Sequence, residues 1–226
     1  MPEHHFESAS TLDKALADTV VSKLAHAIDS RGHASLVVSG GSTPKGLFAL
    51  LSEAGLDWAR VTVVLADERW VEADHDDANR RMVRESLLRG TASGATFISL
   101  ADAYPDTGAA LHDVERALAD IDQFDVVILG MGLDGHTASL FPCSLELREG
   151  LTTTAPALMT QPTTAPHKRI SLSRKRLLAT HYGVLHIVGN EKKQVLKDAQ
   201  KLGLQTIKPA AGFIEPDGPF ELWFAP

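Results

Sequence analysis

A single cysteine, Cys143, occurs in 226 residues, so no disulfide framework can be built from this chain. No stretch approaches the roughly 18 consecutive apolar residues of a membrane-spanning helix. Basic residues are outnumbered, 22 Lys and Arg against 29 Asp and Glu, and the formal charge of −7 argues against a general nucleic-acid surface. An anionic ligand would therefore need a local group of Lys and Arg working against the overall field. The N-terminus shows no basic segment followed by an apolar one, and with the lone cysteine this makes a reducing cytoplasm the expected location. Cys143 follows Pro142 and has no second cysteine beside it, so it reads as an incidental small residue. Internal repeats and low-complexity tracts are missing. So are the serine-hydrolase Gly-x-Ser-x-Gly elbow, the Walker A loop, the Gly-x-Gly-x-x-Gly dinucleotide turn, and the His-Glu-x-x-His and paired-Cys metal spacings. No metal and no cofactor is expected.

What is present is an ordinary globular composition, 44% hydrophobic and 23% charged, in a chain of a size that single α/β domains commonly reach. Residues 1–226 are read as one domain. Residues 1–10 are polar and suit an edge segment or a loose end. Leu12, Leu16, Val20, Leu24, Ala27 and Ile28 then recur at steps of three and four, the spacing of an amphipathic helix, which Gly32 ends. Ala34 to Val38 reads as a buried strand. A glycine turn follows, Ser39-Gly40-Gly41-Ser42-Thr43-Pro44, in which Thr43 should cap, and Pro44 open, a helix running to about Ser52. Strand, glycine turn and helix start aim backbone N–H groups and a positive dipole end at one spot, an arrangement that suits a phosphate. A plain glycine-rich connection has the same appearance.

Val61 to Ala66 reads as the next strand and ends in Asp67-Glu68-Arg69-Trp70-Val71, a charged run at the same sheet edge. Further segments alternate: a helix opening near Asn79, a strand over Thr96 to Leu100, a helix over Ala109 to Ile121, strands over Ala157 to Gln161 and Tyr182 to Val188, and an apolar tail, Leu222-Trp223-Phe224. Such alternation predicts an α/β fold, a Rossmann-like three-layer sandwich with a mainly parallel central sheet. At its middle lies Asp125 to Pro142. An unbroken apolar run, Val126 to Leu129, is followed by Gly130, Gly132 and Gly135, whose freedom lets one tight loop present Asp134 and His136 just beyond the strand. Ligands of open parallel sheets sit at such carboxyl ends.

The string Gly-Leu-Asp-Gly-His-Thr-Ala-Ser-Leu-Phe-Pro over 132–142 resembles the signature of the 6-phosphogluconolactonases, in the larger group that includes glucosamine-6-phosphate deaminases. Matching segments occur in order from Ser39 to Lys192: the Ser-Gly-Gly-Ser-Thr-Pro loop, Asp-Glu-Arg-Trp-Val, Asn79, Pro-His-Lys-Arg-Ile-Ser-Leu over 166–172, and Gly-Asn-Glu-Lys-Lys over 189–193. The resemblance implies that Gly40, Gly41, Ser42 and Thr43 hold a sugar phosphate with Arg169 and Lys192. It also implies that Asp67 shapes the pocket and that Arg69 approaches the substrate.

The implied reaction is hydrolysis of 6-phospho-D-glucono-1,5-lactone in the pentose phosphate pathway. With no covalent nucleophile in view, and Ser139 too near His136 for a triad, direct attack by water is the economical scheme. His136 would serve as base, Asp134 would orient the imidazole or the water, and Arg69 or loop N–H groups would take the oxyanion. The expected partner is a small phosphorylated sugar lactone, acted on by a monomer or homodimer. A deaminase is the nearest rival. By the same resemblance it carries a Glu a few residues after Asp-Gly-His, whereas 137–142 here contains no acid. A sugar-phosphate sensor is the other rival, but such regulators carry a DNA-binding segment for which this chain has no spare length.

Overall fold

The computed structural model describes residues 2–226. Its first helix, α1 (Ala9–Arg31), starts where Ser8 and Thr11 form a reciprocal capping box and stops where Gly32 turns left-handed at φ 83°. The apolar stripe read from the sequence is the buried one, Leu12, Leu16, Val20, Leu24, Ala27 and Ile28. Each of its large side chains contributes about 1.5–3 kcal/mol by leaving water.

The strands are β1 (Glu3–His5), β2 (Ala34–Val38), β3 (Val61–Leu65), β4 (Asp67–Arg69), β5 (Thr96–Ile98), β6 (Phe124–Leu129), β7 (Ala157–Thr160), β8 (Arg169–Leu172), β9 (Thr180–Val188) and β10 (Phe220–Ala225). Seven of them form a sheet in the order β1-β10-β9-β6-β2-β3-β5, and every neighbouring pair in it is parallel. The N-terminal residues are thus an edge strand, paired with the last strand of the chain. Helices flank this sheet: α2 (Lys45–Leu51), α3 (Asn79–Ser86), α4 (Thr107–Ala117), α5 (Leu147–Thr152), α6 (Arg174–Leu178) and α7 (Asn190–Lys201), with α1. β2 and β6 are buried along their whole length, as parallel strands covered on both faces must be.

One part differs from the expectation. The charged run Asp67–Arg69, read from the sequence only as the end of the preceding strand, is a strand of its own, β4, in a second, antiparallel sheet of order β4-β8-β7. Its polarity hid it, because the carboxylates of Asp67 and Glu68 are answered inside the protein rather than by water. Strand order places the functional end of the molecule. From β2 the chain proceeds outward to β3 and β5 on one side, while β6, β9 and β10 lie on the other. The crevice beyond the carboxyl ends of β2 and β6 is therefore a topological switch point, where open α/β sheets receive ligands. At the opposite end of these strands, Asp125 accepts hydrogen bonds from the backbone N–H of Ser35 (2.7 Å) and its hydroxyl (3.0 Å) and pairs with Arg31. That buried carboxylate fixes β6 against β2, and so the two loops at the far end against each other.

Candidate active site

A cavity of about 250 Å³ opens at this switch point. The loop after β2 forms one wall, with Gly40, Gly41, Ser42 and Thr43 lining it. Gly40 is required there because a Cβ would lie 1.9 Å from Asn79 Oδ1. The helix start departs from expectation by one residue. α2 begins at Lys45, Pro44 occupies the cap position, and Thr43 makes no capping hydrogen bond, so its side chain faces the cavity uncommitted.

The loop after β6 supplies His136. Its Nδ1 lies 2.6 Å from Asp134 Oδ1, which also accepts the His136 backbone N–H at 3.1 Å. An ionised carboxylate can only accept, so Nδ1 carries the proton and Nε2 keeps its lone pair. Burial works against the charge on Asp134, yet the His136 contacts hold its carboxyl below the usual carboxylate range. The imidazole stacks on Phe141, with ring centroids 4.1 Å apart, and this fixes its plane. Asp134 therefore stands behind the ring and does not line the cavity. The three glycines of this loop have different reasons. Gly135 needs its φ of 87°; Gly132 is at ordinary angles, but a Cβ on it would lie 2.2 Å from His136 Cε1. Gly130 needs neither, since nothing lies within 4 Å of its added Cβ, so the expectation that all three supply unusual angles holds for Gly135 alone.

The antiparallel sheet brings in the cations. In its register Arg69 is directly opposite Arg169, and both line the cavity. Like charges directly opposite destabilise a ladder, and neither arginine has a carboxylate salt bridge among the described residues. Instead Arg69 Nη1 donates to the carbonyl of Asp77 at 2.6 Å, and Arg169 donates twice to that of Pro166. Lys192, in the first turn of α7, joins them at the wall. Two guanidiniums and an ammonium around one cavity, in a protein of net charge −7, form a place for an anion.

Asp67 and Glu68 have separate duties. Asp67 accepts the Ser139 hydroxyl at 2.5 Å and lines the cavity. Ser139 is fully buried, its hydroxyl committed to Asp67. Glu68 is fully buried and accepts the backbone N–H groups of Arg69, Asn79 and Arg80, each at 2.7 Å, capping the start of α3. Burial pushes its carboxyl up to about 7 despite those three bonds. Asn79 Nδ2 donates to the Asp67 carbonyl at 3.0 Å and so ties the start of α3 to β4.

Sequence reasoning passed over several participants. Arg80 is buried and ties the Val71 and Ala101 carbonyls together. Lys208 Nζ donates to the Asp134 carbonyl at 3.1 Å, steadying the His136 loop from a segment with no readable pattern. His186, buried in β9, lines the cavity although its sequence context is simply apolar. Cys143 lies outside the cavity lining; burial would raise its thiol, but hydrogen bonds with Thr164 and Thr163 bring it to about 7.

The sequence model of the family described as glucosamine-6-phosphate isomerases/6-phosphogluconolactonase matches residues 7–221. A 6-phosphogluconolactonase of Rhizobium meliloti is 41% identical, with 99% of this chain and 98% of that protein covered. One of Pseudomonas putida is 37% identical over 99% of this chain and 92% of the relative. Among solved structures, a 6-phosphogluconolactonase from Shewanella baltica superposes with a TM-score of 0.93 at 43% identity, covering 100% of this chain and 98% of the other. A monomeric glucosamine-6-phosphate deaminase shares the fold, with a TM-score of 0.81 at 15% identity, 100% of this chain and 97% of that one being covered. By sequence over nearly its whole length and by fold, this chain belongs to the glucosamine-6-phosphate isomerase/6-phosphogluconolactonase family.

Proposed function

We propose that the protein is a 6-phosphogluconolactonase, hydrolysing 6-phospho-D-glucono-1,5-lactone to 6-phosphogluconate. The observation that carries the mechanism is His136, held from behind by Asp134 and facing the same cavity as Arg69, Arg169, Lys192 and the Ser39–Thr43 loop. The loop, Arg169 and Lys192 hold the phosphate, and so place the lactone carbonyl near His136. This is positioning, which converts an encounter into an intramolecular event. Nε2 of His136 takes a proton from water as its oxygen bonds to C1, and Arg69 faces the oxyanion that forms. The C1–O5 bond then breaks, with the proton on Nε2 passing to O5. Asp134 stabilises the imidazolium between the two transfers.

No cofactor enters this scheme. The same reading treats residues 1–226 as one domain, acting in the cytoplasm as a monomer or homodimer.

A deaminase would need an acid beside the histidine other than Asp134, and the segment Thr137–Pro142 provides none. Acid release from freshly made lactone, measured above its spontaneous hydrolysis, tests the proposal. Turnover of the lactone without ammonia release from glucosamine 6-phosphate is the expected result; the reverse pattern would overturn it.

A further inference from the structure

Behind the Ser39–Thr43 loop lies a polar pair that the reaction does not use. His186, near the carboxyl end of β9, is 2% exposed, and neither ring nitrogen has a hydrogen-bond partner. Asp13, on the core face of α1, is 7% exposed, and its Oδ1 is also unpartnered. His186 Nε2 and Asp13 Oδ1 stand 3.5 Å apart. The other carboxylate oxygen presses against the first turn of α2, where a Cβ on Gly46 would lie 2.1 Å from it. Orphaned buried polar atoms are rare in folded proteins and call for an explanation. Here they adjoin a cavity that His186 lines together with Lys192 and the glycine loop.

A bare carboxylate in this position opposes any anion bound in front of it. We propose that filling the anion cradle with a phosphate dianion makes Asp13 and His186, behind it, take up one proton between them, coupling phosphate binding to proton uptake. The inference rests on the reading of the Ser39–Thr43 loop as a phosphate site.

The surroundings allow it. Lys192 on α7 faces His186, and across the cavity are Asp67, Arg69, His136 and Arg169. Lys14 of α1 and Lys45 of α2 are exposed. The strands beside β9 bring Asp125 and Glu221, both nearer the opposite end of the sheet. Burial lifts Asp13 to about 6, while burial and then Lys192 lower His186 to about 4. Above pH 6 the empty site therefore holds the pair as Asp⁻ and neutral His, a net negative charge. A dianion in the cradle raises the affinity of both groups for a proton.

Calorimetric titration of the full chain with glucitol 6-phosphate, which has neither carboxylate nor lactone, tests this. At pH 8 a phosphate ester is already dianionic, its second pKa being about 6. Repeating the titration in two phosphate-free buffers of different ionisation enthalpy counts protons. The wild-type protein is expected to take up as much as one proton per ligand, and its Kd to weaken by as much as about tenfold per pH unit between pH 7 and 8.5. Asp13→Asn should lose that uptake and bind with a flatter pH dependence. His186→Gln, which leaves the carboxyl alone with the proton, should shift the midpoint. Equal proton counts and parallel pH profiles in wild type and Asp13→Asn would overturn the coupling alone. Failure of glucitol 6-phosphate to bind would remove the cradle reading and this inference together.

Discussion

Replacing Gly132 by Ala isolates the placement of His136 from every other property of the site. Gly132 has no positive φ, so alanine brings no backbone strain; its Cβ would instead sit 2.2 Å from Cε1 and 2.3 Å from Nδ1 of the His136 ring. An ordinary contact needs about 3.4 Å at least, and relieving the overlap therefore moves the imidazole by about 1 Å, or breaks its 2.6 Å bond to Asp134. A displacement of that size costs on the order of 10²-fold in rate, because the base no longer meets the attacking water in line with the carbonyl. We expect Gly132→Ala to lower kcat for lactone hydrolysis by about that factor. Its Kd for 6-phosphogluconate should stay close to wild type, since the phosphate contacts lie on other elements. Gly55→Ala is the control: its φ is not positive, nothing lies within 4 Å of its added Cβ, it lies outside the cavity lining, and it should retain full activity. Initial rates on freshly generated lactone, corrected for spontaneous hydrolysis and read beside Tm, separate the two. If Gly132→Ala stays within a factor of about three of wild type while remaining folded, or if Gly55→Ala is equally damaged, rate does not depend on ring placement as argued.

Asp134→Asn keeps the shape but lets the ring adopt the other tautomer; kcat should fall by about 10²-fold or more, with KM little changed, in steady-state assays. Arg169→Ala should raise KM far more than it lowers kcat, because its guanidinium faces the bound anion rather than the breaking bond. Equal loss in both parameters would move Arg169 into the chemistry. Glu68→Leu leaves three buried N–H groups without an acceptor, each costing about 1–3 kcal/mol, so Tm should drop by well over 5 °C in a thermal scan. The folded Glu68 carboxyl sits near 7 against 4.5 for an unperturbed one, so between those values the native state binds more protons than the unfolded state. Its contribution to stability therefore declines as pH rises through that window, by on the order of 3 kcal/mol. Urea midpoints at pH 5 and pH 8 should differ less in Glu68→Gln than in wild type.

Local pattern revealed those features whose cause is local. The α1 stripe is periodic because one helix face is buried, and β6 is an apolar run because both its faces are covered. His136 and Asp134 were legible because both sit on one glycine loop just beyond that strand. The second sheet was not, since Asp67–Arg69 pairs with a strand a hundred residues away, and Glu68 is tolerated inside only because the start of α3 folds onto it. The Thr43 cap was misread because capping potential is a property of the residue, whereas the helix here starts beyond Pro44. Asp13 and His186 gave no signal at all. One is a polar residue next to Leu12 in a helical stripe, the other a single interruption in a strand, and only the packing of α1 against β9 sets them side by side.

The most direct test is the pair of initial rates of acid release from freshly generated 6-phosphogluconolactone by wild-type protein and His136→Asn at matched concentration. The wild type should far exceed spontaneous hydrolysis, with His136→Asn lower by about 10²–10⁴-fold yet still binding 6-phosphogluconate. A His136→Asn protein that hydrolyses the lactone at the wild-type rate would contradict the claim that this imidazole activates the water.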